Sequence, residues 1–143
     1  MRRGAMIAAA ACLAFGACGG DDEPKPEDEV RKVVKDYLTA MASGNAERAC
    51  GALTNEAQEA LVEEVSNAFG GGADELSCGD ALQELSADVA PEAKPVLLNP
   101  KIGKVTIEGS SATAEVEKVA GTVPLRRVGD DWRVEKSVYD IGR

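Results

Sequence analysis

The chain has 143 residues, with 16 basic against 25 acidic side chains and a net charge of −9. That length leaves room for one domain, and the charge works against nucleic acid, whose phosphates are bound by basic surfaces. There is no histidine and only 3% of residues are aromatic, which removes imidazole bases, His-containing triads, imidazole metal ligands and base-stacking platforms.

The first element is an address. Arg2 and Arg3 precede an uncharged apolar run from Ala5 to Ala17, and small residues Gly16 and Ala17 precede Cys18. A charged start, a short apolar run and a small-residue site predict a secretory signal over residues 1–17. The run is shorter than the ~20 apolar residues a membrane-spanning helix needs. Phe15-Gly16-Ala17-Cys18 resembles the lipobox of bacterial lipoproteins, with Phe15 where Leu is usual. The resemblance implies that Cys18 is lipidated (palmitate included) and anchors the mature chain outside the cytoplasm, at the bacterial cell membrane. Two or more acyl chains hold a protein stably where one does not. Removal of Arg2 and Arg3 leaves 14 basic against 25 acidic side chains, so an anionic bilayer would repel the domain and the lipid must hold it.

Residues 18–29 read as the lipidated cysteine and an acidic tether. Gly19, Gly20, Pro24 and Pro26 stand among six acids, with no apolar side chain to bury. Its eleven residues after the cysteine reach at most about 36 Å. Residues 30–143 read as a single domain. Val30, Val33, Val34, Tyr37, Leu38 and Met41 follow helical spacing, with acids Glu27, Asp28 and Glu29 near the start and Gly44 beyond the end. Asn45 predicts the cap of a short helix through Leu53 that turns Ala49 and Cys50 inward. Thr54 predicts the cap of a further helix, with Ala57, Leu61, Val65, Ala68 and Phe69 on its inner face and Gly70-Gly71-Gly72 at its end. Cys78, Leu82, Leu85 and Val89 predict another, which Pro91 and Pro95 stop.

After Pro100 the period changes to two. Ile102, Val105 and Ile107 open a strand region, and Gly109-Ser110-Ser111 reads as a turn. Ala112, Ala114 and Val116 alternate with polar residues, and Ala120-Gly121 turns again. Val123 and Leu125 form a third strand in which Pro124 predicts an edge or a bulge. Gly129-Asp130-Asp131 signals a hairpin into Trp132, Val134 and Val138. Helices first and strands after predict an α+β fold, with the N-terminal helices packed on a C-terminal four-stranded antiparallel meander.

The first helix with its Val34-Tyr37-Leu38 face, the Asn45–Cys50 segment and the ending Gly129–Val134 together resemble the nuclear-transport-factor-2-like, or cystatin-like, superfamily. Within it they resemble small secreted lipoproteins of actinobacterial type. The resemblance spans residues 27 to 141, and the triple-glycine segment departs from the compact members. It implies a curved sheet forming a cone, with Tyr37, Phe69, Val105, Ile107 and Val116 as candidate lining of a pocket. Two readings follow: a cone that holds a small apolar ligand, or a filled cone whose outer sheet face meets an envelope protein.

With Cys12 in the signal and Cys18 lipidated, Cys50 and Cys78 are left as an even pair. An oxidising compartment predicts a bridge between them; in the cytosol the same pair would be two free thiols. Neither a Cys-x-x-Cys motif nor a cationic cluster points to redox work. Enzymes of the superfamily use Asp, His or Tyr in the cone. Asp36 and Tyr37 are the nearest pair, but neighbouring helical residues point about 100° apart. No catalytic residue, metal ligand or cofactor is therefore assigned. The acids of the tether lack EF-hand spacing, and Gly70-Gly71-Gly72 lacks the Lys of a phosphate loop. Glu56, Glu59, Glu63 and Glu64 read as a solvated helix face. Arg126, Arg127, Arg133, Lys118 and Lys136 place cations on the strand half, where surface ion pairs are the expected use. The functional expectation is a non-catalytic lipoprotein that binds a ligand or an envelope partner. The alternative is a small superfamily enzyme acting on an apolar substrate.

Overall fold

A computed structural model describes residues 23–69 and 76–137. The signal segment, Cys18, the triple glycine and Val138 lie outside the described residues. Helices α1 (Pro26–Ala42), α2 (Ala46–Gly51), α3 (Asn55–Phe69), α4 (Cys78–Ala87) and α5 (Lys94–Leu98) come first. Strands β1 (Ile102–Glu108), β2 (Ser111–Val116), β3 (Thr122–Val128) and β4 (Asp131–Val134) follow as an antiparallel sheet in the order β1-β2-β3-β4. The class is α+β, with helices before strands.

Local chemistry explains most boundaries. Pro26 occupies the first turn of α1, where a missing N–H costs nothing, so the helix begins inside the stretch read as tether. At its other end Gly44 takes a φ of +74°, and the N–H groups of Gly44 and Asn45 return to the carbonyls of Met41 and Ala40. That is a Schellman closure, which satisfies two end carbonyls. The Asn45 side chain then accepts from the Arg48 N–H and starts α2. Thr54 Oγ1 accepts from the Ala57 N–H at 3.2 Å and caps α3. Ser77 and Asp80 cap α4 reciprocally, a capping box.

Gly109 and Gly129 carry φ of +63° and +64° as the first residue of two-residue turns, between Glu108 and Ser111 and between Val128 and Asp131. Only the first turn residue has positive φ, the geometry of a type II′ hairpin, which glycine adopts without strain.

Three features depart from the sequence reading. Pro124 lies in β3, an interior strand, and not at an edge or a bulge. It is opposite Thr113 on β2, and its carbonyl accepts from the Glu135 N–H at 2.9 Å. Its missing N–H therefore falls on the side of β4 just where β4 ends at Val134, and little of the ladder is lost. The irregularity is instead in β1, between Ile102 and Val105. There Arg31 of α1 donates to the carbonyls of Ile102 and Gly103 at 2.9 and 2.6 Å. Second, α5 follows Ala93. The prolines stop α4, but Pro95 sits in the first turn of the new helix, where it is tolerated. Third, Phe69 is not on an inner face: it is 62% exposed, and Ala68 is exposed as well. A four-residue spacing drifts by about 40° per step, so a stripe through Ala57, Leu61 and Val65 has rotated off the core by Phe69. Ser66 is buried in its place.

The core lies between the helices and one face of the sheet. From α1 come Val30, Val34, Tyr37, Leu38 and Met41; from the strands come Ala112, Ala114, Val116, Val123, Leu125, Trp132 and Val134. Burying a Val- or Leu-sized side chain contributes roughly 1.5–3 kcal/mol. Alanines at 112 and 114 let α1 approach β2 closely. The opposite face is polar along β1 and β2, with Lys104, Thr106, Glu108, Ser111, Thr113 and Glu115 exposed. Cys50 and Cys78 form a disulfide with Cα atoms 6.1 Å apart, fastening α2 to the start of α4.

Candidate functional site

The positions proposed to line a pocket fall into two groups. Tyr37 is fully buried, and its hydroxyl hydrogen-bonds Ser137 Oγ across the core at 3.3 Å. Val116 is buried in the same core cluster, and Val105 and Ile107 are half-buried on the same sheet face, opposite Ala114 and Ala112. Phe69 faces solvent and does not share that space. Four of the five thus pack α1 against the sheet. The residue the pattern misplaced is the one beyond the helix's last contact.

Polar geometry concentrates elsewhere, where α3 meets the β3–β4 hairpin. A parallel bridge between Leu53 and Val134 joins them. The Thr54 N–H donates to the Val134 carbonyl at 2.9 Å, and the Val134 N–H donates to the Ala52 carbonyl at 2.8 Å. These bonds cover the free edge of β4 and hold the first turn of α3 against the hairpin. Beside the bridge is an open groove of about 410 Å³, lined by Asn55 and Glu56 of α3 and by Arg126, Arg127 and Arg133.

Arg126 and Arg133 stand directly opposite each other on the outer face of β3 and β4. Like charges so placed repel, so each needs a counterweight. Arg126 Nε lies 2.8 Å from Glu135 Oε1, and its Nη2 lies 3.8 Å from Glu56 Oε2. Arg133 donates through Nη1 to the Gly51 carbonyl. Arg127, on the opposite face, lies over the Trp132 ring, 5.9 Å from its centroid. Each guanidinium is held by one contact or two and retains further donors, since the group has five.

A smaller groove of about 240 Å³ lies on the other side of β4, between α1 and α2. There Lys32 Nζ donates to Asp36 at 2.8 Å and Arg48 approaches the same carboxylate at 3.6 Å. The Lys32 hydrogen bond, with the charges of Lys32 and Arg48, holds the Asp36 carboxyl below its ordinary value against a smaller opposing effect of burial. Asp36 points to these surface cations while Tyr37 enters the core, as their angular separation on the helix requires.

In the sequence the arginines read as cations of the strand half, with surface ion pairs as their expected use. Arg126 has two such pairs; Lys118 instead lies in the turn after β2, beside Lys101 and Glu117. What the sequence did not carry is that the start of α3 comes to the same place. Among the described residues no group of three His, Cys, Asp or Glu is arranged to hold a metal ion. Among the same residues no helix is long and apolar enough to cross a membrane. In comparison with known proteins, the chain matches no family model, no curated protein and no solved structure.

Proposed function

We propose that this chain is a lipid-anchored extracytoplasmic lipoprotein, acylated on Cys18, that works as a non-catalytic interaction module of the bacterial cell envelope. We read its domain as a nuclear-transport-factor-2-like cone whose interior is filled. The observation that carries the reading is the continuous core formed by the helices and one face of the sheet, in which Tyr37, Leu38, Leu53, Leu61, Leu82 and Leu125 are each buried to within 2%. A cone packed in this way leaves recognition to the outside of the molecule. The lipobox resemblance and the Cys50–Cys78 disulfide support an oxidising compartment.

The test has two parts. Metabolic labelling with a palmitate analogue in a lipoprotein-processing bacterium should label the wild-type chain and leave Cys18→Ala unlabelled. Equal labelling of both would refute the anchor. Native mass spectrometry of the processed protein should give the mass of the acylated chain alone. A further mass that disappears on denaturation would restore an internal ligand and overturn the filled interior.

A further inference from the structure

We propose that the groove between the first turn of α3 and the β3–β4 hairpin binds a phosphate group. This names a ligand chemistry for the module proposed above, and its test does not depend on the lipid anchor.

Charge is the first argument. In a chain with a net charge of −9, three arginines are among the residues that line one groove of about 410 Å³, Arg126 and Arg133 from the outer sheet face and Arg127 from the neighbouring position on the other, and Glu56 is the one carboxylate among its lining residues. Glu135, outside that lining, is the nearer countercharge of Arg126, at 2.8 Å against 3.8 Å for Glu56. A phosphate brings a tetrahedral set of oxygens and up to two charges, which suits several guanidinium forks better than a single carboxylate would.

Preorganisation is the second. Arg126 is held by Glu135, Arg133 by the Gly51 carbonyl and Arg127 by the Trp132 ring. Each is oriented before a ligand arrives, and each has donors left over. The main chain adds to them. Thr54 occupies the N–H groups of Ala57 and Gln58 through its hydroxyl and its carbonyl. The N–H groups of Asn55 and Glu56, at the start of a 15-residue helix, have no intrahelical acceptor. A phosphate seated among the arginines would lie at the positive end of that helix. Glu56 opposes it, and its 3.8 Å contact with Arg126 is loose enough to be exchanged for a phosphate oxygen.

The phosphate could belong to a soluble phosphoester or to a lipid headgroup, and the experiment separates the two. Trp132 is the chain's one tryptophan and lies under Arg127, so its fluorescence reports on the groove. The full chain in neutral detergent micelles is titrated with inorganic phosphate at fixed ionic strength, with chloride as control, and calorimetry repeats the titration. Saturable binding of phosphate but not chloride is expected. Arg126→Ala and Arg127→Gln should each weaken it by about tenfold or more, and the double variant should abolish it. Glu56→Gln should tighten it, an effect that loss of folding could not produce. Far-ultraviolet circular dichroism checks each variant. Competition of phosphate by micelles doped with phosphatidylglycerol assigns the headgroup source; competition by glycerol phosphate alone assigns the soluble one. Absence of saturable phosphate binding, or binding that survives in the double variant, overturns the proposal.

Discussion

Reducing the Cys50–Cys78 bridge should cost this protein a large part of its stability. The bridge joins residues 28 apart in sequence. On the chain-entropy account, opening a loop of that size returns freedom to the unfolded chain worth about 3.5 kcal/mol at 25 °C. A small domain has only about 5–15 kcal/mol in total. The estimate concerns the unfolded state, so reduction with a phosphine is a cleaner perturbation than mutation: no side chain is removed, and the half-buried sulfurs keep their packing against α2 and α4. Urea unfolding of the full chain, with and without reductant, measures the effect, and mass spectrometry after alkylation verifies the thiol state. The midpoint should fall, and the urea dependence should steepen because the uncrosslinked chain exposes more surface. Thermal unfolding should move down by roughly 10–15 °C for a domain of this size. A difference below about 1 kcal/mol would refute the reasoning; it would mean that the unfolded chain keeps the 50–78 segment compact without the bond.

Five further substitutions test other parts of the structure. Leu61→Ala, at a fully buried site, should destabilise by about 2–5 kcal/mol, whereas Phe69→Ser, at a largely exposed one, should stay within about 0.5 kcal/mol; urea midpoints compare them. Gly129→Ala forces an L-residue to a φ of +64° and should cost about 1–2 kcal/mol, while Gly51→Ala, at a helical position with open space around it, should be neutral or stabilising. The Asp80 carboxyl is held below its ordinary value of 3.8 by the Ser77 hydroxyl and then the Ser77 N–H. A depressed folded value gives stability that is present above the unfolded value and lost as pH falls through the folded one. Thermal unfolding of Asp80→Asn should therefore fall less steeply than wild type as pH drops below 3.8, and parallel curves would sink the assignment.

How much of this fold the sequence disclosed depended on the range of the interactions involved. Asn45 and Thr54 cap helices, Gly44 closes one, and Gly109 and Gly129 turn hairpins because the relevant bonds are made within a few residues. Those elements could be read directly. Positions fixed by distant neighbours could not. Phe69 fits a four-residue spacing as well as Leu61 does, but only the extent of the packing surface determines which is covered. Pro124 suggested an edge because proline lacks a donor. Its tolerance in an interior strand follows from where β4 ends, a property of the partner strand. Helix α5 is five residues long, too short for its periodicity to stand out from a proline-containing loop.

The arginine groove belongs to the same class, which explains why the chain's chemistry was hard to read from its order. Arg126, Arg127 and Arg133 occupy adjacent strands, and in sequence they are ordinary alternating surface cations. Asn55 and Glu56 are about seventy residues away and look like the start of an acidic helix. A single bridge, Leu53 to Val134, with the bonds from Thr54 and to Ala52 on either side, brings the two together. No periodicity encodes that meeting, because it depends on the free edge of β4 finding a partner in the α2–α3 connection. If that bridge is what assembles the groove, a change in it should affect binding while leaving the arginines in place. Compared with Thr54→Ala, which loses only the hydroxyl that caps α3, Thr54→Pro also loses the N–H that Val134 accepts, and it should weaken phosphate binding more than it weakens the fold's circular dichroism signal. Equal loss of both would mean that the bridge serves the fold and not the groove.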